Sequence, residues 1–234
     1  MIDVALIDYW AANGESPLHR ASVPAKLLFL GMVVTAAVVA RQPGPIAAGY
    51  GVLLLVSILA GLPWLRILLL SGYAAVFATL YAVSAGGGLS LFATVLLKAV
   101  TPACAVAMLI MTTPYPRIFA FLDRFLPEIL AAGLFMTYRT FFILLEMMNN
   151  FGAAIRLRGG FAPGRIARNS TNIARGIAML LVQAVERSSR LYAVMAVRGY
   201  NGSMAETAVG GFRKDDWMPL LAGSIVLALV MVWR

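Results

Sequence analysis

Apolar runs of about twenty residues recur along this chain, and they constrain its fold more than any other feature. The first, roughly 25–41, contains KLLFLGMVVTAAVVA; the second is PIAAGYGVLLLVSILAGL at 45–62; further runs cover about 67–85 and 89–112, and WMPLLAGSIVLALVMVW fills 217–233. A half-buried strand alternates apolar and polar residues with period 2, and a surface helix does so with period 3.6. These runs do neither. Their length matches a helix crossing roughly 30 Å of hydrocarbon. Lipid admits only helices or closed barrels, and barrel strands alternate. Composition agrees: 61% of residues are hydrophobic and 12% charged, against about 25% charged in soluble domains. The fold expected is an all-α, polytopic membrane protein.

The turns between runs are legible. QPGP at 42–45, PWLR at 63–66 and AGGG at 85–88 separate the first four spans. Before them, IDVALIDYW suits an interfacial helix with Tyr9 and Trp10 at headgroup depth, and Asn13-Gly14 ends it. Asp3, Asp8 and Glu15 precede the first run, where a secretory signal would carry positive charge. From 113 the character changes. Ile118, Phe119, Leu122, Phe125 and Leu126 recur at helical spacing among Arg117, Asp123 and Arg124, and Pro127 ends this short amphipathic helix. Residues 128–159 read as one very long helix, apolar over its first two thirds except for Arg139 and Glu146. A third helix runs from about 165 to 198, with an apolar stripe through Ile173, Ile177, Leu181, Ala184, Leu191 and Met195 and arginines opposite.

Charge sets the expected orientation. The net charge is +9 and nearly all of it is arginine, since Lys26, Lys98 and Lys214 are the only lysines. Residues 151–200 hold eight arginines against one acidic residue, Glu186, which places them in the cytoplasm. Arg117 and Arg124 do the same for the short helix. The run 128–148 then lies between two cytoplasmic regions and does not cross the bilayer once, so Arg139 and Glu146 are expected as a buried polar pair. The resulting plan has an N-terminal lead-in and four spans over 1–112, a cytoplasmic helical region over 113–216 and a last span over 217–234. The N-terminus is cytoplasmic, and Arg41 and Arg66 fall on opposite sides, Arg41 being the exception. Lys98, inside the fourth run, is expected to snorkel.

No residue pattern for catalysis appears. The ten acidic residues are scattered, no phosphate-binding glycine loop occurs, and one His19 and one Cys104 make neither a metal site nor a nucleophile–base pair. Twelve methionines at helical spacing read as packing. A membrane-embedded enzyme acting on lipids or polyprenyl phosphates, the alternative from another class, would need clustered carboxylates or a Ser/His constellation. A secondary transporter would want inverted repeats and midplane polar groups, and a nucleic-acid binder would interleave aromatics with its arginines.

The positive signal is a pair of helix ends. IRLRGGF (155–161) and MAVRGY (195–200) both finish a long helix in Arg-Gly. Glycine supplies a left-handed cap and arginine suits the negative end of the helix dipole. Capping alone would account for either end. The pairing of two such ends in one arginine-rich region suits docking of two tips into two near-equivalent partner sites.

AIRLRG (154–159) and VMAVRGY (194–200) resemble the paired Ala-Arg-Gly signatures of the transmembrane (T) component of energy-coupling-factor (ECF) transporters. SPLHRASVPAKLL (16–28), TYRTFFILLEMMNN (137–150) and VERSSRLYAVMAVRGY (185–200) extend the likeness, which leans toward the CbiQ-like cobalt/nickel branch. Leu157, Val197 and Val194 stand where that family often has alanine. The resemblance implies a multi-pass scaffold in the cell inner membrane whose coupling domain inserts two helix tips into two ABC-type ATPase subunits and whose membrane part holds a metal-binding S component. It assigns ATPase coupling to Arg156, Arg158, Gly159, Val197, Arg198 and Gly199. It implies that this chain is not an enzyme and binds no cofactor, metal or nucleic acid, ATP being used by the partner subunits. The transported ion would be set by the S component.

Overall fold

A computed structural model describes residues 10–14, 16–86, 88–157, 166–199 and 214–233. Its elements are α1 (Pro17–Arg20), α2 (Val23–Val39), α3 (Pro43–Leu59), α4 (Trp64–Ser84), α5 (Leu89–Thr112), α6 (Tyr115–Asp123), α7 (Glu128–Leu157), α8 (Ile166–Val197), a 3₁₀ turn (Lys214–Asp216) and α9 (Trp217–Val232). There is no strand among the described residues. The protein is an all-α polytopic membrane protein. Among the described residues, three helices are long and apolar enough to cross a bilayer: α4, α5 and residues Ile129–Leu157 of α7. α2, α3 and α9 have 17, 17 and 16 residues, about 25 Å each at 1.5 Å per residue.

Several helices begin two or three residues before the apolar runs suggest. Pro43, expected in a turn, is the first residue of α3, and Pro24 lies in the first turn of α2. Proline at these positions loses no hydrogen bond, because the first helical N–H groups have no partner anyway. PWLR likewise contributes only Pro63 outside the helix, as the cap of α4.

The chain divides into two compact units, residues 1–121 with 208–234, and residues 122–207. The sequence reading put these boundaries at 112/113 and 216/217, at the ends of the apolar runs. In the first unit α9 packs against α2 and α3, and α5 packs against α2, α3 and α4. The last helix of the chain thus closes beside the first two. Small residues allow these approaches. α4 buries one stripe, Ile67, Ser71, Ala78 and Ala82, and leaves Leu69, Tyr73, Phe77 and Leu80 exposed; in a membrane chain that face meets lipid. The shared core includes Phe29, Val33, Ile46, Leu53, Met108 and Val226. Cys104 is fully buried in it.

The second unit holds α7 and α8. Phe151 of α7 lies against Gly176 of α8, where its ring occupies the volume a Cβ would need. The crossing of these two helices therefore depends on a residue without a side chain.

Candidate functional site

The second Arg-Gly end is described in full. α8 stops at Val197, and the backbone N–H of Arg198 donates to the carbonyls of Val194 at 3.2 Å and Met195 at 3.0 Å. Gly199 N–H donates to Ala196 O at 3.1 Å, with Gly199 at φ +78°. That left-handed angle is the helix-stopping conformation glycine adopts without strain. Val197 is 90% exposed, Arg198 and Gly199 are exposed, and no atom lies within 4 Å of where a Gly199 Cβ would sit. Among the described residues the tip is uncovered.

At the first end, Arg156 stands exposed in the last turn of α7 and Leu157 is 90% exposed. Arg158 and Gly159 lie outside the described residues. Arg139 and Glu146 are both exposed, so the structure does not bury the pair expected of them. They stand seven residues apart, about 10 Å of rise along α7, and the apolar run between them is itself only partly covered within this chain. Arg139 instead borders a cleft of about 670 Å³ between α7 and α8, lined also by Ile143, Glu186, Arg187, Arg190 and Leu191. Glu186 and Arg190 approach to 3.7 Å, one turn apart and well exposed, a pair contributing a few tenths of a kcal/mol at about 0.5 or less.

The membrane unit contains a second polar constellation that the sequence reading did not identify. Asp216, 3% exposed, caps α2: its Oδ1 accepts the Ser22 N–H at 2.6 Å and its Oδ2 accepts the Ser22 hydroxyl at 2.7 Å. Lys26, also 3% exposed, donates from Nζ to Thr112 O at 2.9 Å and to Thr113 Oγ1 at 2.8 Å. Thr112 is the last residue of α5, so its carbonyl has no partner within the helix. Negative charge at a helix N-terminus and positive charge at a C-terminus both match the dipole. Signals for this existed. Ser22 precedes Val-Pro as an N-cap would, and a lysine in the first turn of a span opposes its own helix dipole unless acceptors come from elsewhere.

His19 packs beside this constellation. It is 8% exposed, its ring fills the space over Gly14, and its Nδ1 is 2.6 Å from Ser16 Oγ. Burial first, and the nearby Lys26 charge second, lower its pKa from the usual 6.5. Arg66 lies 5.2 Å over the Trp10 ring, which ties the lead-in to the first turn of α4. Lys98 is partly buried and its Nζ reaches the Val38 carbonyl at 3.4 Å, one of the unpaired carbonyls at the end of α2.

The sequence matches the CbiQ family, described as cobalt transport protein, over residues 14–208. No curated protein matches it. The match covers the end of the lead-in, the first four membrane helices and both long helices, with both Arg-Gly ends; α9 lies beyond it. The protein is a component of a membrane transporter. The chain belongs to the CbiQ family of cobalt transport proteins.

Proposed function

We propose that this chain is the transmembrane coupling subunit of an ECF-type importer for cobalt or nickel ions. In this reading two ABC-type ATPases bind the Arg-Gly ends in the cytoplasm, and ATP-driven movement passes through α7 and α8 to a metal-binding S component in the membrane. The N-terminus and the 113–216 region are cytoplasmic. ATP and the metal ion are handled by the partner chains, and this chain catalyses nothing itself.

The observation that supports this reading most is the end of α8, an always-charged arginine held out at an uncovered, glycine-capped tip in a member of a transport family. Arg198 donates several hydrogen bonds in a fixed plane and suits a carbonyl-lined or acidic groove. The test is uptake in proteoliposomes carrying the chain with its ATPases and S component. Arg198→Glu should abolish most ATP-dependent uptake of cobalt or nickel. Losing a charged contact from a buried interface costs about 2–5 kcal/mol. Uptake unchanged in Arg198→Glu would refute the assignment.

A further inference from the structure

The chain leaves the membrane helices at Thr113 and returns to them at Asp216, and both points are fastened to the first two turns of α2. Asp216 holds Ser22 through both carboxylate oxygens, and Lys26, one turn farther along the same face, holds Thr112 and Thr113. Ser22, Lys26, Thr112, Thr113 and Asp216 are all less than 9% exposed.

Each charge is placed for a helix other than its own. Asp216 directly precedes α9 but makes no side-chain cap there; its carboxylate caps α2. Lys26 sits in the first turn of α2, where the dipole disfavours a cation, and its ammonium lies at the end of α5. Simple capping would put an acceptor and a donor on the helix each one serves. Crossed in this way, the four bonds bind three helix ends to one another. Hydrogen bonds to buried charged groups are short and strong, so each pair holds its own two helix ends.

We propose that Asp216 and Lys26 are positioning residues that clamp both roots of the 113–216 region onto the start of α2. Movement of that region is then delivered to α2, α5 and α9 together instead of being absorbed in the two connecting segments. This rests on the coupling function proposed above.

The test has two arms. The first uses the purified chain alone in detergent and reads amide hydrogen exchange. Asp216→Ala should speed exchange of the Ser22 amide by about tenfold or more, the effect expected when a charge-assisted hydrogen bond is removed. Lys26→Met should speed exchange of the Thr112 and Thr113 amides by loosening the end of α5. Unchanged exchange in both variants would overturn the clamp itself. The second arm uses the full transporter in proteoliposomes and reads ions taken up per ATP hydrolysed. Asp216→Ala should lower that ratio by about tenfold, with ATPase attachment retained. Asp216→Glu, which keeps the carboxylate, should recover part of the loss. A merely structural residue would lower folded yield and leave the ratio of surviving molecules unchanged, and that outcome would overturn the transmitting role. A wild-type complex that holds no ATPase would refute the coupling function, and the transmitting role with it, while the exchange arm still decides whether the clamp exists.

Discussion

Replacing Gly223 with alanine should separate close helix packing from helix propensity. A Cβ at Gly223 would lie 3.1 Å from Met32 Cε, 3.2 Å from Phe29 Cδ2 and 3.4 Å from Met32 Cβ. The Met32 methyl is the end of a flexible chain and can swing aside. The Phe29 ring is 5% exposed in the core, and Met32 Cβ is fixed to its backbone. Overpacking of this kind costs about 1–3 kcal/mol, whereas alanine for glycine inside a helix returns about 0.5–1 kcal/mol. Gly31, on α2, supplies the control, since nothing lies within 4 Å of its would-be Cβ. Gly31→Ala should therefore stabilise the chain by about 0.5–1 kcal/mol. Gly223→Ala should destabilise it by roughly 0.5–2 kcal/mol, and Gly223→Val by more than about 2 kcal/mol. Unfolding of each variant by SDS in mixed micelles, followed by far-ultraviolet circular dichroism, gives these differences. Gly223→Ala as stabilising as Gly31→Ala would refute the packing of α9 against α2.

Three further outcomes are expected. His19 has a lowered folded pKa, so below about pH 6.5 the unfolded chain takes up a proton that the folded chain resists. Thermal stability in detergent should fall as pH drops below that value, by at most about 1.4 kcal/mol per pH unit from this group, and His19→Gln should flatten the fall; an unchanged slope would refute it. Arg139→Leu and Glu146→Gln should each alter the stability of the isolated chain by no more than about 0.5 kcal/mol, because both side chains are exposed; a larger loss by the same SDS titration would show that they are paired after all. In a Cys104→Ala background, a cysteine at Ser170 should react with a membrane-impermeant maleimide only after the cytoplasmic side is opened, and labelling of intact right-side-out cells would contradict the orientation.

Membrane class was legible because it depends on local composition. A run such as 45–62 is apolar throughout, and few other structures accept it. The end of α8 was legible for the same reason, as Arg198-Gly199 is a local cap signal and Gly199 adopts the angle that signal implies. The clamp left local hints at Ser22 and Lys26, but its pairing was not legible. Ser22 and Asp216 are 194 positions apart, and Lys26 and Thr113 are 87 apart. Lys26 carries little local signal because its acceptors lie at the end of a different helix. Arg139 and Glu146 differ from expectation in the opposite direction, being exposed within this chain. Charge within an apolar run suggested burial, but a long helix in a small two-helix unit leaves most of its surface uncovered.

The most direct measurement of the central claim is the subunit count of the purified transporter by native mass spectrometry. It should be made for the wild type, for Arg158→Glu, for Arg198→Glu and for the double variant. The account predicts two ATPase subunits on the wild-type chain, one on each single variant and none on the double variant, with the S component retained throughout. A double variant that still carries both ATPases would contradict it.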